Sequence, residues 1–133
     1  FESTLKPLLQ FDNIKIKRGF LSHDEIANIH KEYGVFITPT RMDSQGVSRD
    51  EAMASGLIPI TNSVTAIPEF VDKDCGILVD GEDYTAMASG IERIYSNPDE
   101  FQRLSKNAAK RVRNQSDSII IIERELRILA TGE

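Results

Sequence analysis

Cysteine is nearly absent. Cys75 stands alone among 133 residues, so no internal disulfide framework can form, and a reducing compartment such as the cytoplasm is expected. It precedes the apolar run Gly76-Ile77-Leu78-Val79, where an inert buried thiol is expected rather than a nucleophile. Long apolar runs are missing as well. The longest, Ile119 to Ile122, falls far short of the roughly 20 residues a membrane span needs. Basic charge is in deficit: the net charge of −5 argues against a nucleic-acid partner, which needs a basic surface. No low-complexity tract and no internal repeat interrupts the chain. His23 and His30 lie seven apart on an expected helix, too far along it to share one small ion, so no metal site is expected and each reads as a surface side chain.

What is present is the composition of an ordinary globular domain, 40% hydrophobic and 28% charged, at a length that supports one core over residues 1–133. The chain opens on Phe1 rather than Met, inside what reads as a helix, so a fragment of something larger is expected.

Along the chain, Phe1, Leu5, Leu8 and Leu9 fall at helical spacing, limited by Pro7. Asn13 to Gly19 alternates apolar and charged, as a half-buried strand does. Ser22 and Glu25 form a capping-box pattern ahead of a helix whose face, Ile26, Ile29 and Tyr33, ends at Gly34. Val35 to Thr38 reads as a fully buried strand, and Ile58 to Asn62 and Gly76 to Asp80 as two more. A turn of helix is expected at Ile67 to Val71. Three helices finish the chain: Tyr84 to Tyr95 with Met87, Ile91, Ile94 and Tyr95 on one face, one capped by Asn97-Pro98, and one from about 116 to 130. Alternating strands and helices predict an α/β fold with a mostly parallel sheet flanked by helices.

Candidate chemistry sits between the strand Val35 to Thr38 and the next helix, where open parallel sheets bind ligands. The stretch Asp43-Ser44-Gln45-Gly46-Val47-Ser48-Arg49-Asp50-Glu51 carries two acids on either side of a glycine turn. Gly46 allows a ligand close to the backbone, and the N–H groups near Val47 to Arg49 can hold an anion such as phosphate. Glu51 can accept paired hydrogen bonds from a vicinal diol such as ribose, and Asp43 can bind hydroxyls beyond the phosphates. A plainer reading stands beside this one. Ser48 to Glu51 is itself a capping box, so Glu51 then only ties down a helix start, while Asp43 is a solvated loop acid. Arg41 and Arg49 read more simply as exposed arginines than as phosphate ligands.

The run from Asp43 to Val71 resembles the donor-site signature of the GT-B retaining glycosyltransferases, family 4 or group 1. There two acids flank a Gly-aromatic-Gly turn, followed by a helix close to the Glu51-Ala52-Met53-Ala54-Ser55-Gly56 found here and by an Ile67-Pro68-Glu69. Gly19-Phe20-Leu21-Ser22 resembles the strand exit beside the nucleobase, and Cys75 to Val79 the family's Asn-Gly-Leu-Leu-Val. The resemblance covers about residues 13–114. It implies a Rossmann-like, C-terminal half of a GT-B fold that binds a nucleotide diphosphate-sugar without metal or other cofactor. Asp43, Gln45, Gly46, Val47, Ser48 and Glu51 would then bind the donor, and Phe20 and Leu21 would border the base. The upstream half would supply the basic pair for the diphosphate, the acceptor site and any peripheral membrane attachment. The C-terminal helix would reach back to that N-terminal domain, and the fragment alone would be inactive. Departures are Asp43 for Glu, Ser44 and Gln45 for Gly and an aromatic, and Val64-Thr65-Ala66 where a glycine pair is common. Two other readings stay open: a degenerate, non-catalytic module used for assembly, and a nucleotide-sugar epimerase domain.

Overall fold

The computed structural model describes residues 3–132, so Phe1 of the expected opening helix lies outside the described residues. A 3-10 turn, Lys6–Gln10, takes that helix's place, with Pro7 in its first turn. There follow α1 (His23–His30), β1 (Val35–Thr38), α2 (Val47–Ala54), β2 (Ile58–Asn62), α3 (Ile67–Phe70), β3 (Ile77–Val79), α4 (Tyr84–Ser96), α5 (Pro98–Ser116) and α6 (Ser118–Thr131). The strands form one parallel sheet in the order β1-β2-β3, with Val35 beside Ile58 and Ile60 beside Ile77. Parallel neighbours need crossover connections, which α2 and α3 provide.

Alternation along the strands sends side chains to two cores. Ile58, Ile60, Ile77 and Val79 pack with Met87 and Ile94 of α4. On the other face lie Met53 of α2, Ile67 of α3, and Ala108 and Val112 of α5, with Leu78 of β3 packed against them. Complete burial of a side chain such as Ile60 stabilises by about 1.5–3 kcal/mol. Helix α5 passes beneath the amino ends of the strands and joins both cores. Its Leu104 belongs to the first core, Ser105 Oγ donates to Gly56 O at 2.7 Å, and Phe101 fills the space where a Gly34 side chain would project. Local signals agree with these boundaries. Ser22 and Glu25 form the expected capping box on α1, and Asn97 Oδ1 accepts from Glu100 N at 3.1 Å to start α5.

Several expectations fail for identifiable reasons. Asn13 to Gly19 is not a strand. Ile14 and Ile16 are half-buried and the lysines exposed, but among the described residues no strand lies beside it to form a ladder. The alternation reports burial, not pairing. Strand β1 is not fully buried: Ile37 is 46% exposed, because β1 is an edge strand with only β2 beside it. Helix α1 stops at His30, which leaves Tyr33 outside it and exposed. On α4 the buried stripe is Met87, Gly90 and Ile94, while Ile91 and Tyr95 face outward. Helix α6 is no such failure: its apolar side was expected to lie exposed in this chain, and it buries no residue completely, with Ile121 half-buried and Leu126 and Leu129 exposed. No helix among the described residues is long and apolar enough to cross a membrane.

Candidate functional site

The turn before α2 is built around Gly46, which has φ +65 and serves as the helix N-cap. An L side chain here would be strained by the left-handed backbone. Its Cβ would also lie 2.6 Å from Arg49 Nη1 and 2.7 Å from Asp43 Oδ2. Glycine is therefore required twice over. No side chain caps α2, which leaves its leading N–H groups, from Val47 on, for solvent or a ligand.

Because α2 starts at Val47, Ser48 falls inside it and the Ser48–Glu51 capping box does not form. Glu51 lies one turn along from Val47, on the same face. Its side chain is 36% exposed, and the carboxylate meets His23 Nδ1 at 3.6 Å, taking no hydrogen bond from any described residue. That contact brings the start of α1, and with it the Phe20–Ser22 segment, close to α2. Phe20 is fully exposed there and Leu21 is half-buried.

The two acids differ. Asp43 Oδ1 accepts from Gln45 N at 3.1 Å, and Oδ2 lies 3.6 Å from Arg49 Nη1. The Gln45 amide is thus already engaged, and the Asp43 carboxylate is turned toward the protein, not the solvated loop acid of the plainer reading. Its main chain is clamped from the other side. Thr65 Oγ1 accepts from Asp43 N at 3.1 Å and donates to Asp43 O. Thr65 has φ +45, the one non-glycine residue among those described in the left-handed region, where a β-branched side chain is strained.

Arg49 is the feature the sequence reading placed wrongly. It is not an exposed arginine but is 2% exposed, beneath the turn. Nε and Nη2 donate to Asp50 Oδ1 at 3.0 and 2.9 Å, and Nη2 also donates to Gln45 O at 2.7 Å. The guanidinium lies 4.6 Å from the centroid of the Phe70 ring. Its hydrogen-bonding capacity is directed inward, holding the turn. Burial pushes the Asp50 carboxyl above its ordinary value; Arg49 opposes this by hydrogen bond and charge, and Asp43 adds to it. An Arg-Asp dipeptide at a helix start carries no signal that separates this arrangement from a solvated pair. Thr65 had a signal: it stands where the family resemblance expects glycine, the residue that adopts its backbone freely.

His30 also departs from expectation. It is buried, with Nδ1 3.1 Å from Ser55 Oγ at the end of α2. Cys75 is buried as expected, and burial pushes its thiol upward, away from nucleophilic character. Among the described residues no group of three or more His, Cys, Asp or Glu is arranged to hold a metal ion.

A separate cavity of about 350 Å³ opens at the carboxyl ends of the strands, lined by Pro39, Arg41, Asn62, Glu82, Tyr84 and Met87. Buried Asn62 fixes its wall, with Oδ1 accepting from Thr40 N at 2.8 Å and Nδ2 donating to Gly81 O. Arg41 and Glu82 pair across it through Nε and Nη2, the second at 3.1 Å. The hydrogen bond to Arg41 holds the Glu82 carboxyl below its ordinary value.

Comparison with known proteins adds lineage to this geometry. A family model described as glycosyl transferases group 1 matches residues 9–111. The chain is 32% identical over 97 residues to the capsular polysaccharide biosynthesis glycosyltransferase CapM of Staphylococcus aureus, a stretch covering 72% of this chain and 26% of that protein. Among solved structures, a sucrose-phosphate synthase from Thermosynechococcus elongatus superposes with TM-score 0.81 and 24% identity, over 99% of this chain and 34% of that one. TarM superposes with TM-score 0.70 and 18% identity, over 84% of this chain and 22% of that one. The chain thus spans about a quarter of the length of its curated relative.

Proposed function

Since the chain belongs to the glycosyl transferases group 1 family, we propose that it is the donor-binding portion of an enzyme that transfers a sugar from a nucleotide diphosphate-sugar to an acceptor with retention of anomeric configuration. One observation carries the reading: an uncapped helix start behind a left-handed glycine turn, with an unspent carboxylate one turn along the same face.

In this reading the N–H groups of Gly46, Val47 and Ser48 and the α2 dipole take the diphosphate, whose charge grows as the glycosidic bond breaks. Glu51 accepts from the ribose hydroxyls. Phe20 and Leu21 border the base, beside the His23 that already touches Glu51. Asp43, Gln45 and Arg49 shape the turn rather than reach the ligand, with Asp43 joined to Thr65 from behind. The remaining basic charge and the acceptor contacts come from a second domain of the parent protein, and the chain by itself binds nucleotide without transferring sugar. The likeness to CapM, a capsular polysaccharide biosynthesis glycosyltransferase, supports a role in polysaccharide synthesis, and a cytoplasmic, membrane-peripheral setting is part of the same proposal.

NMR titration of this chain with UDP and GDP tests the site. Amide shifts at Gly46, Val47 and Glu51 are expected, and Glu51→Ala is expected to weaken binding without changing the fold. Absence of shifts at these residues with either nucleotide at millimolar concentration would overturn the assignment. A second reading, a non-catalytic module used for assembly, draws on the inward-turned Asp43. It would be favoured if Glu51→Ala left transfer by the full-length protein unchanged. The epimerase reading finds no support in the family match.

A further inference from the structure

The geometry points to a second ligand site, the cavity bounded by Arg41, Glu82 and Tyr84, built for a neutral sugar ring. The pocket and its ligand class stand on the geometry below and do not depend on the transferase reading above.

The volume, about 350 Å³, lies within the range of small-molecule sites. Its walls combine apolar and polar groups. Met87 and Pro39 supply apolar surface, and Tyr84 stands on the rim, 82% exposed, with its ring free to stack on the C–H face of a pyranose.

The charges select against an ionic ligand. Arg41 and Glu82 already neutralise one another through a forked pair, and Glu82 is held ionised by it. The pair leaves no net positive charge for an anion to gain at Arg41. A neutral diol needs none. Arg41 keeps the two N–H groups of Nη1 and one of Nη2 as donors, and each Glu82 oxygen keeps a lone pair, so adjacent hydroxyls can donate to Glu82 and accept from Arg41 together. Asn62 adds rigidity rather than contacts, since both ends of its amide are occupied by Thr40 N and Gly81 O.

Placement ties this pocket to the turn before α2. Arg41 is two residues ahead of Asp43, and Asn62 begins the segment whose Thr65 clamps Asp43. The 39–43 and 62–66 segments therefore form a wall common to both, with α4 and its Met87 on the far side.

The test uses the same chain and four neutral probes: glucose, galactose, mannose and N-acetylglucosamine. The expected result is that at least one shifts the amides of Arg41, Glu82, Tyr84 and Met87 while leaving Gly46 and Glu51 in place. Tyr84→Ala should weaken that binding about tenfold with nucleotide binding unchanged. Glu82→Gln, which opens the fork, should weaken it as well. Inorganic phosphate serves as the ionic control. No shift at these residues with any of the four sugars overturns the proposal, as does a response to phosphate alone. Nucleotide binding at Gly46 is read from different signals, so failure of one site is distinguishable from failure of the other.

Discussion

Replacing Arg49 by methionine tests whether the turn before α2 is held by a buried charge. Methionine fills similar length but removes every donor. In the native protein the guanidinium, 2% exposed, gives three hydrogen bonds of 2.7–3.0 Å to Asp50 Oδ1 and Gln45 O, and it stacks near Phe70. Hydrogen bonds to charged groups contribute about 1.5–3 kcal/mol each, but these share two acceptors and one donor group, so they do not add. The larger effect is what remains. The Asp50 and Asp43 side chains are only 15% and 18% exposed, and without Arg49 they face each other with no cation between them. Removing one partner from a buried pair typically costs about 3–5 kcal/mol. That is a large share of the ~5–15 kcal/mol that stabilises a domain.

Urea unfolding followed by circular dichroism reads this directly. With a slope near 2 kcal/mol per molar, the midpoint of Arg49→Met should fall by about 2 M. Arg49→Lys should recover little, because one ammonium cannot reach Asp50 and Gln45 in the forked geometry. Lowering the pH supplies an internal check. Burial already raises the Asp50 carboxyl above its ordinary 3.8, and losing Arg49 raises it further. A raised carboxyl favours the folded state below its unfolded pKa and loses that contribution as pH rises through its folded value. The deficit of Arg49→Met should therefore shrink as the pH is brought down toward 4. A midpoint within about 0.5 M of wild type at neutral pH would refute the reasoning, since the site would then have been solvated all along.

Other expectations follow from single residues. Gly46→Ala combines a positive φ with a Cβ 2.6 Å from the Arg49 guanidinium; it should lower stability by roughly 1–3 kcal/mol and abolish nucleotide shifts at α2, and a fully stable, nucleotide-binding variant would contradict the geometry. Stability should decline as pH falls below about 4: burial opposes it, but hydrogen bonds from Asp74 N and the Arg111 guanidinium leave the Asp72 carboxyl below its ordinary 3.8, so its contribution is present above that value and lost on protonation. Arg111→Gln should flatten that limb in pH-dependent thermal melts. Leu126→Ser and Leu129→Ser on α6 should each change stability by no more than about 0.5 kcal/mol, because both side chains are already in solvent; a larger loss would mean α6 is packed.

Much of the fold was legible because local and long-range signals agree. The continuous run Ile58 to Asn62 is buried throughout as the central strand, and the Ser22 and Asn97 caps start their helices where expected. Readings failed where burial depended on what lies alongside an element. Ile37 and the lysine-isoleucine alternation at residues 14–17 look like strand interior in sequence, yet no strand lies beyond β1 among the described residues to cover them. At the site, Gly46 and Glu51 were visible because backbone freedom and an acid one turn along a helix follow from local spacing. Arg49 was not. Its burial depends on Phe70, twenty-one residues onward, and an arginine followed by an aspartate looks the same in solvent as in a core.

The departures from local preference are not scattered. Thr65 at positive φ, Gly46 at positive φ, the buried Arg49 and Thr38 Oγ1, a buried hydroxyl without a hydrogen-bond partner among the described residues, all lie at or just beyond the carboxyl ends of β1 and β2. At the opposite edge, α5 crosses beneath the amino ends with ordinary apolar contacts and a satisfied Ser105. A strained threonine costs on the order of 1–3 kcal/mol, and a lost hydrogen-bond partner a similar amount. Packing does not explain placing these at one edge, because the cores on either face of the sheet close without them. Fixing the Asp43–Gly46 backbone in one conformation does explain Thr65, Gly46 and Arg49. Thr65 grips Asp43 from one side, Arg49 grips Gln45 from the other, and the helix start between them is held in one conformation.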